Sequence, residues 1–251
     1  MVDTEKNCRT VLFEAPGRKK RRSIQVKSVR RLLAVLLAGG VLLAGCSLPG
    51  KKDGAKSGAQ SSAPSSSAAS SKEEETFVFA RGSWAGERFE NQSLGVVFTL
   101  PAGWSAYTDE QIDAMMDSGA DNLSDGQQQG YEQSKQQTIF DMVATAAEGL
   151  PAVQLAAEKM PVAALTEKNY LQILKKQLEA VAAPQYDTSA DVFSLEVAQE
   201  TFQVLPVTAE GVHQWYMVRQ QGDYMVTIIA TFAEGQEETM RQVLQQNFAA
   251  L

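Results

Sequence analysis

Cysteine is almost absent from this 251-residue chain: Cys8 and Cys46 are the only two, and the last 205 residues hold none. Without a thiol, that region can form no disulfide, no zinc–cysteine site and no cysteine nucleophile. Histidine is scarcer still. His213 stands alone, which excludes paired-histidine metal sites. The sequence contains no G-x-S-x-G turn to present a nucleophilic serine and no glycine-rich phosphate loop. The carboxylate clusters Glu73-Glu74-Glu75 and Glu237-Glu238 fall at the end of a polar tract and in the first turn of a predicted helix. Solvation and the helix dipole account for them there. Catalysis therefore reduces to one alternative, a divergent hydrolase using His213 with carboxylates, and the sequence implies no cofactor and no metal.

Long apolar runs are missing as well. The longest, Leu32 to Gly45, has 14 residues, whereas a membrane-spanning helix needs about 20. It follows Arg18-Lys19-Lys20-Arg21-Arg22, Lys27 and Arg30-Arg31, which is the charged-then-apolar order of an export signal. Basic residues ahead of the run place the N-terminus on the cytoplasmic side and everything after it outside. At 45 residues this leader exceeds the usual span of about 15–30, so Val26 and Val29 are candidate later start sites. An uncleaved signal anchor is the alternative.

The run ends in Leu43-Ala44-Gly45-Cys46. These four residues resemble the lipobox of bacterial lipoproteins. The resemblance implies that Cys46 takes a diacylglyceryl group and the fatty acyl chain, such as palmitate, that goes with it, and that the leader 1–45 is cut just before it. The mature protein would then be held by lipid at the outer, extracytoplasmic face of the cell membrane.

Charge divides at the same place. The first 46 residues carry 10 Lys+Arg against 3 Asp+Glu, which leaves 13 against 27 of the chain's 23 and 30, a net of −14. An acidic mature protein lacks the basic footprint that nucleic acid requires. From Ser47 to Ser71 there is no aromatic or β-branched residue, so this tract cannot bury enough apolar area to offset its ordering entropy. Residues 46–76 are read as a flexible tether reaching on the order of 30 Å, and 77–251 as one domain.

In that domain Val96 to Leu100 alternates like a strand ended by Pro101-Ala102-Gly103, with Arg88 to Glu90 as its hairpin partner and Asn91 to Gly95 as the turn. Thr108-Asp109-Glu110-Gln111 matches a capping box ahead of Ile112, Met115 and Met116, and Gly119 ends the predicted helix. Asp117 to Gln137 reads as a surface loop, and Asp121 to Gly126 lacks the ligand spacing of a calcium loop. Thr138 to Ala146 and Ala152 to Lys159 form a predicted hairpin. Thr166 caps a helix whose apolar face is Tyr170, Leu171, Leu174, Leu178 and Val181, stopped by Pro184. Val192 to Val197, Glu200 to Thr208, Val212 to Arg219 and Tyr224 to Phe232 are further strands. The last is apolar on both alternating sets and so belongs in the middle of a covered sheet. A closing helix from Gln236 places Met240, Val243, Leu244, Phe248 and Leu251 on one side.

The segment Gly95-Val96-Val97-Phe98-Thr99-Leu100-Pro101-Ala102-Gly103-Trp104, after a short strand and an Asn-containing turn and before a helix, resembles the PsbP/Mog1-like domains of small bacterial lipoproteins. The resemblance covers Trp84 to Trp104 closely and the rest by element order. It implies an α+β fold, an antiparallel sheet of about six strands with helices packed on its faces, and an accessory extracytoplasmic role with no catalytic residues to carry over. Trp84, Trp104, Trp215 and Tyr216 are the candidate recognition aromatics, although packing in a β-rich core is the commoner use of such residues. The expected function is a tethered binding or interaction module whose partner is an envelope protein or a small ligand.

Overall fold

The computed structural model describes residues 77–120, 137–160, 165–181 and 184–251. The leader, Leu43 to Cys46, the tether and the Asp121 to Gly126 segment lie outside the described residues. In chain order the elements are β1 (Ser83–Ala85), β2 (Arg88–Asn91), β3 (Val96–Thr99), β4 (Trp104–Ala106), α1 (Asp109–Ala120), β5 (Thr138–Ala146) and β6 (Ala152–Lys159). They continue with α2 (Glu167–Glu179), β7 (Phe193–Val197), β8 (Glu200–Ala209), β9 (Val212–Gln221), β10 (Tyr224–Ala233), α3 (Glu237–Gln246) and β11 (Phe248–Ala250).

The fold is α+β with antiparallel pairing, but its strands form two sheets rather than one of about six. Seven strands run β4-β5-β6-β10-β9-β8-β7, and four run β1-β2-β3-β11. The hairpin β2–β3 does not join the main sheet because β3 takes a partner from the far end of the chain, Phe248 opposite Phe98 and Ala250 opposite Val96. β10 is the middle strand of the seven, as its two apolar sets require.

Alternation along the strands divides the side chains of the large sheet between two cores. One face carries Met142, Ala144, Val153, Leu155, Trp215, Met217, Val226, Ile228 and Phe232. It packs against Phe89, Phe98 and Phe248 of the small sheet and Met240, Val243 and Leu244 of α3. The other face carries Phe140, Val143, Ala156, Tyr216, Val218, Met225 and Ile229, under Ile112 and Met116 of α1 and Tyr170, Leu171, Leu174 and Leu178 of α2.

The helix starts follow their local signals, whereas the ends shift: α1 runs through Gly119 to Ala120, and α2 stops at Glu179, short of Val181 and Pro184. Gln111 N–H donates to Thr108 Oγ1 at 3.3 Å and Thr108 N–H to Gln111 Oε1 at 2.9 Å, the reciprocal pair of a capping box. Asn169 N–H donates to Thr166 Oγ1 at the start of α2. The closing helix is shorter than its periodicity suggests. It stops at Gln246, and Phe248 enters β11 rather than continuing the helical stripe. Asn247 makes the switch: its carbonyl accepts from Thr99 N–H at 2.8 Å and its Nδ2 donates to Thr99 O at 2.9 Å, fastening the chain to β3. Leu251 then donates its N–H to Gly95 O at 2.9 Å.

Candidate functional site

The chemically unusual groups lie beneath α2. Residues 154, 156 and 158 of β6 point to the helix-covered face, so strand geometry delivers a carboxylate, Glu158, to a position that is 3% exposed. Tyr170 sits one turn into α2 on its core side, and its hydroxyl donates to Glu158 Oε2 at 2.8 Å. The Thr227 hydroxyl of β10 also reaches the Tyr170 oxygen. Burial pushes the Glu158 carboxyl up to about 7, offset only in part by the Tyr170 bond. Burial, with Glu158 beside it, raises Tyr170 well above the phenol range, so Tyr170 stays the donor. Glu158 Oε1 and the Oγ1 of Thr138, directly opposite on β5, are buried without a hydrogen-bond partner among the described residues. The group is thus a proton-holding carboxyl whose ionisation is resisted by its surroundings. Nothing in the sequence singled out Glu158. The available signal was a tyrosine at a core position of an amphipathic helix, whose hydroxyl needs a polar partner once buried.

A second buried carboxyl ties the sheets together. The β-bulge between Phe140 and Met142 turns out Asp141, which accepts from Gly82 N–H at 2.9 Å and Asn91 Nδ2 at 2.6 Å. Burial raises its pKa against those two bonds. Asn91, fully buried, also holds Ala80 O and accepts from Leu94 N–H, so it closes the turn into β3.

The residues named from sequence are dispersed. Trp215 and Tyr216 are 4% and 1% exposed and face opposite cores. Trp215 packs edge-on against Phe232 at 5.0 Å, with the Arg241 guanidinium 4.6 Å from its ring. Trp84 is half-buried on Phe89 and Phe98, and Trp104 is half-buried against the same core. His213, the second residue of β9, is half-buried. Its ring stacks on Phe232 at 5.6 Å, and its Nδ1 lies 3.2 Å from Thr208 Oγ1. It lines an open groove of about 540 Å³ with Phe232, Glu234, Glu237 and Glu238. The imidazole's polar contact is thus a threonine hydroxyl, and Glu237 is engaged by Arg241 at 2.9 Å. Among the described residues no group of three His, Cys, Asp or Glu is placed to hold a metal ion, and no helix is long and apolar enough to cross a membrane.

Comparison with protein families and with curated proteins finds no match. Several solved structures are similar. Cyanobacterial PsbP (CyanoP) from Synechocystis sp. aligns at 14% identity with a TM-score of 0.42, covering 65% of this chain and 91% of its own. LpqN, described as involved in cell envelope biogenesis of Mycobacterium tuberculosis, aligns at 13% identity and a TM-score of 0.35, over 61% of this chain and 82% of its own. A protein from Bacteroides thetaiotaomicron aligns at 10% identity and 0.35, and this chain spans about half of its length, 48%. The fold class rests on the sheet topology itself.

Proposed function

We propose that this protein is a lipid-anchored extracytoplasmic binding module. Cys46 holds it at the outer face of the cell membrane, and residues 46–76 tether a PsbP/Mog1-like domain that serves an envelope protein or a small ligand as an accessory factor. The observation that carries this reading is Leu43-Ala44-Gly45-Cys46 at the end of a short apolar run, with Cys8 the only other thiol. The charge division supports it, because a domain of net −14 after a basic leader is kept off anionic lipid except through its anchor. The experiment is Cys46→Ser with fractionation and mass spectrometry of the mature N-terminus. The wild type should partition with membranes and begin at an acylated Cys46, and the variant should accumulate as unprocessed or released protein. Full membrane partitioning of the Cys46→Ser protein would replace the lipid anchor by a signal anchor.

The convergence of His213 with Glu234, Glu237 and Glu238 on one groove favours a second reading, an envelope hydrolase. It is the weaker one, since the groove is open and the imidazole is held by Thr208 and Phe232. General acid–base catalysis contributes about 10²–10⁴-fold. Turnover of an envelope ester or glycoside that His213→Ala abolishes would therefore establish it.

A further inference from the structure

Two strands of the fold end their sheets on the same side of the molecule. β7 is the last strand of the seven, β11 is the last of the four, and a groove of about 590 Å³ lies between them. It is lined by Glu196 and Gln199 of the β7–β8 hairpin, Gln245 of α3, and Phe248, Ala249 and Ala250 of β11. This volume is within the range of about 300–1,000 Å³ usual for ligand sites. The register settles which backbone groups face it. Asn247 O accepts from Thr99 N–H of β3 and Leu251 N–H donates to Gly95 O just ahead of β3, so the alternation of an antiparallel ladder turns Ala249 inward to Val97 and the N–H and C=O of Phe248 and Ala250 outward.

An exposed edge is commonly blunted by lysine, proline, a bulge or a covering element. β11 reads Phe-Ala-Ala, none of which blunts it, and its alanines are exposed. The opposite wall is also unusual. Ala198 and Gln199 both take positive φ, 53° and 64°, in a two-residue hairpin turn where Asn-Gly is the ordinary solution. Left-handed non-glycine residues are uncommon and concentrate at binding clefts and active sites. Glu196 stands exposed on this rim, on a domain whose 77–251 portion has 23 acidic and 9 basic residues.

From this geometry we propose that the groove takes an extended, basic peptide segment of a partner protein, which adds to β11 as a fifth strand of the small sheet. Main-chain bonds from Phe248 and Ala250 hold the segment. The small side chains of Ala249 and Ala250 leave the edge open to approach, and Lys or Arg side chains of the segment meet Glu196. The inference rests on the binding-module reading and names its site and the chemistry of its partner.

The test uses the full-length lipoprotein in detergent and a synthetic peptide alternating Lys and Val. Control peptides are its Glu/Val counterpart and a copy N-methylated at every second amide. The Lys/Val peptide should bind saturably and slow hydrogen exchange at the Phe248 and Ala250 amides. The N-methylated copy should bind at least ten-fold more weakly and the Glu/Val peptide not measurably. Ala250→Pro removes an outward donor without touching a β3 bond and should abolish binding. Should that variant misfold, Glu196→Lys, which reverses the rim charge at an exposed position, should still weaken binding about ten-fold. Equal binding of the N-methylated copy, protection at the His213 groove instead, or no binding at millimolar peptide would each overturn the strand-addition site. None of these bears on whether Cys46 is acylated. A doubling of mass in ultracentrifugation that Ala250→Pro abolishes would make the occupant a second copy of this chain, and would overturn the proposal too.

Discussion

The two faces of the seven-stranded sheet bury different chemistry. Under the small sheet and α3, the row Met142, Leu155, Ile228 and Met217 is apolar, and the buried polar pair Asp141 and Asn91 stands beside Met142 where the two sheets join. Under α1 and α2, the same four strands bury Glu158, Gln154, Thr227, Thr231, Gln214 and Thr145 among their valines and alanines. Part of this set is paired: Gln214 Nε2 donates to Thr231 Oγ1 at 3.1 Å, and Tyr216 Oη donates to Gln214 Oε1 at 3.3 Å. An apolar interface tolerates sliding of a neighbour at small cost, whereas a buried polar group demands one partner at one distance. The difference therefore lies in what each face contributes: mainly hydrophobic stabilisation with one polar tie at Asp141 on one, and a fixed, proton-sensitive seating of α2 on the other.

The sharpest break of the apolar face is Phe232→Ala. The side chain is 2% exposed between Trp215 and His213, and its loss should cost about 3–5 kcal/mol. Urea unfolding monitored by tryptophan fluorescence should show the loss at pH 5 and at pH 8, and any difference between the two would report on His213, which stacks on the ring.

The helix face should respond to pH through Glu158. Folded Glu158 titrates near 7 and an unfolded glutamate near 4.3, so the folded state retains the proton over that interval. Its contribution is full below about pH 4.3 and is lost as pH rises through 7. At pH 8 the ionised carboxylate should destabilise the fold by up to about 3 kcal/mol. Glu158→Gln keeps an acceptor for Tyr170 and cannot ionise. It should raise the melting temperature at pH 8 and leave it nearly unchanged at pH 4.5. A Glu158→Gln variant whose pH profile parallels the wild type would show that the carboxyl is not the source.

The smallest effect separates helix propensity from helix seating. Thr166→Ala removes the cap of α2, which accepts the Asn169 N–H, and should cost about 1 kcal/mol at either pH. A loss that instead grew with pH would mean that the cap and Glu158 are coupled through α2.

Much of this architecture was legible residue by residue. The hairpin Thr138–Ala146 with Ala152–Lys159, the Thr108 and Thr166 caps and the doubly covered β10 all depend on patterns within a few residues of one another. The short strands β1 and β4 were not legible, since three residues carry no periodicity. The second sheet was hidden for a different reason. Met240, Val243, Leu244, Phe248 and Leu251 satisfy a helical period to the end of the chain, and only the hydrogen bonds of Asn247 to Thr99, 148 positions away, make a strand of the last part.

The candidate site divides along the same line. The chain alone carries the Cys46 motif, the charge division and the count of one histidine, because these are matters of composition and short spacing. That Glu158 meets Tyr170 under a helix, that Asp141 joins two sheets through Asn91, and that the β7–β8 hairpin and β11 border one groove are consequences of packing. Periodicity says which side of a strand a residue faces. Only the closed fold decides what stands opposite, and burial there turns an ordinary glutamate into one that holds its proton to about 7.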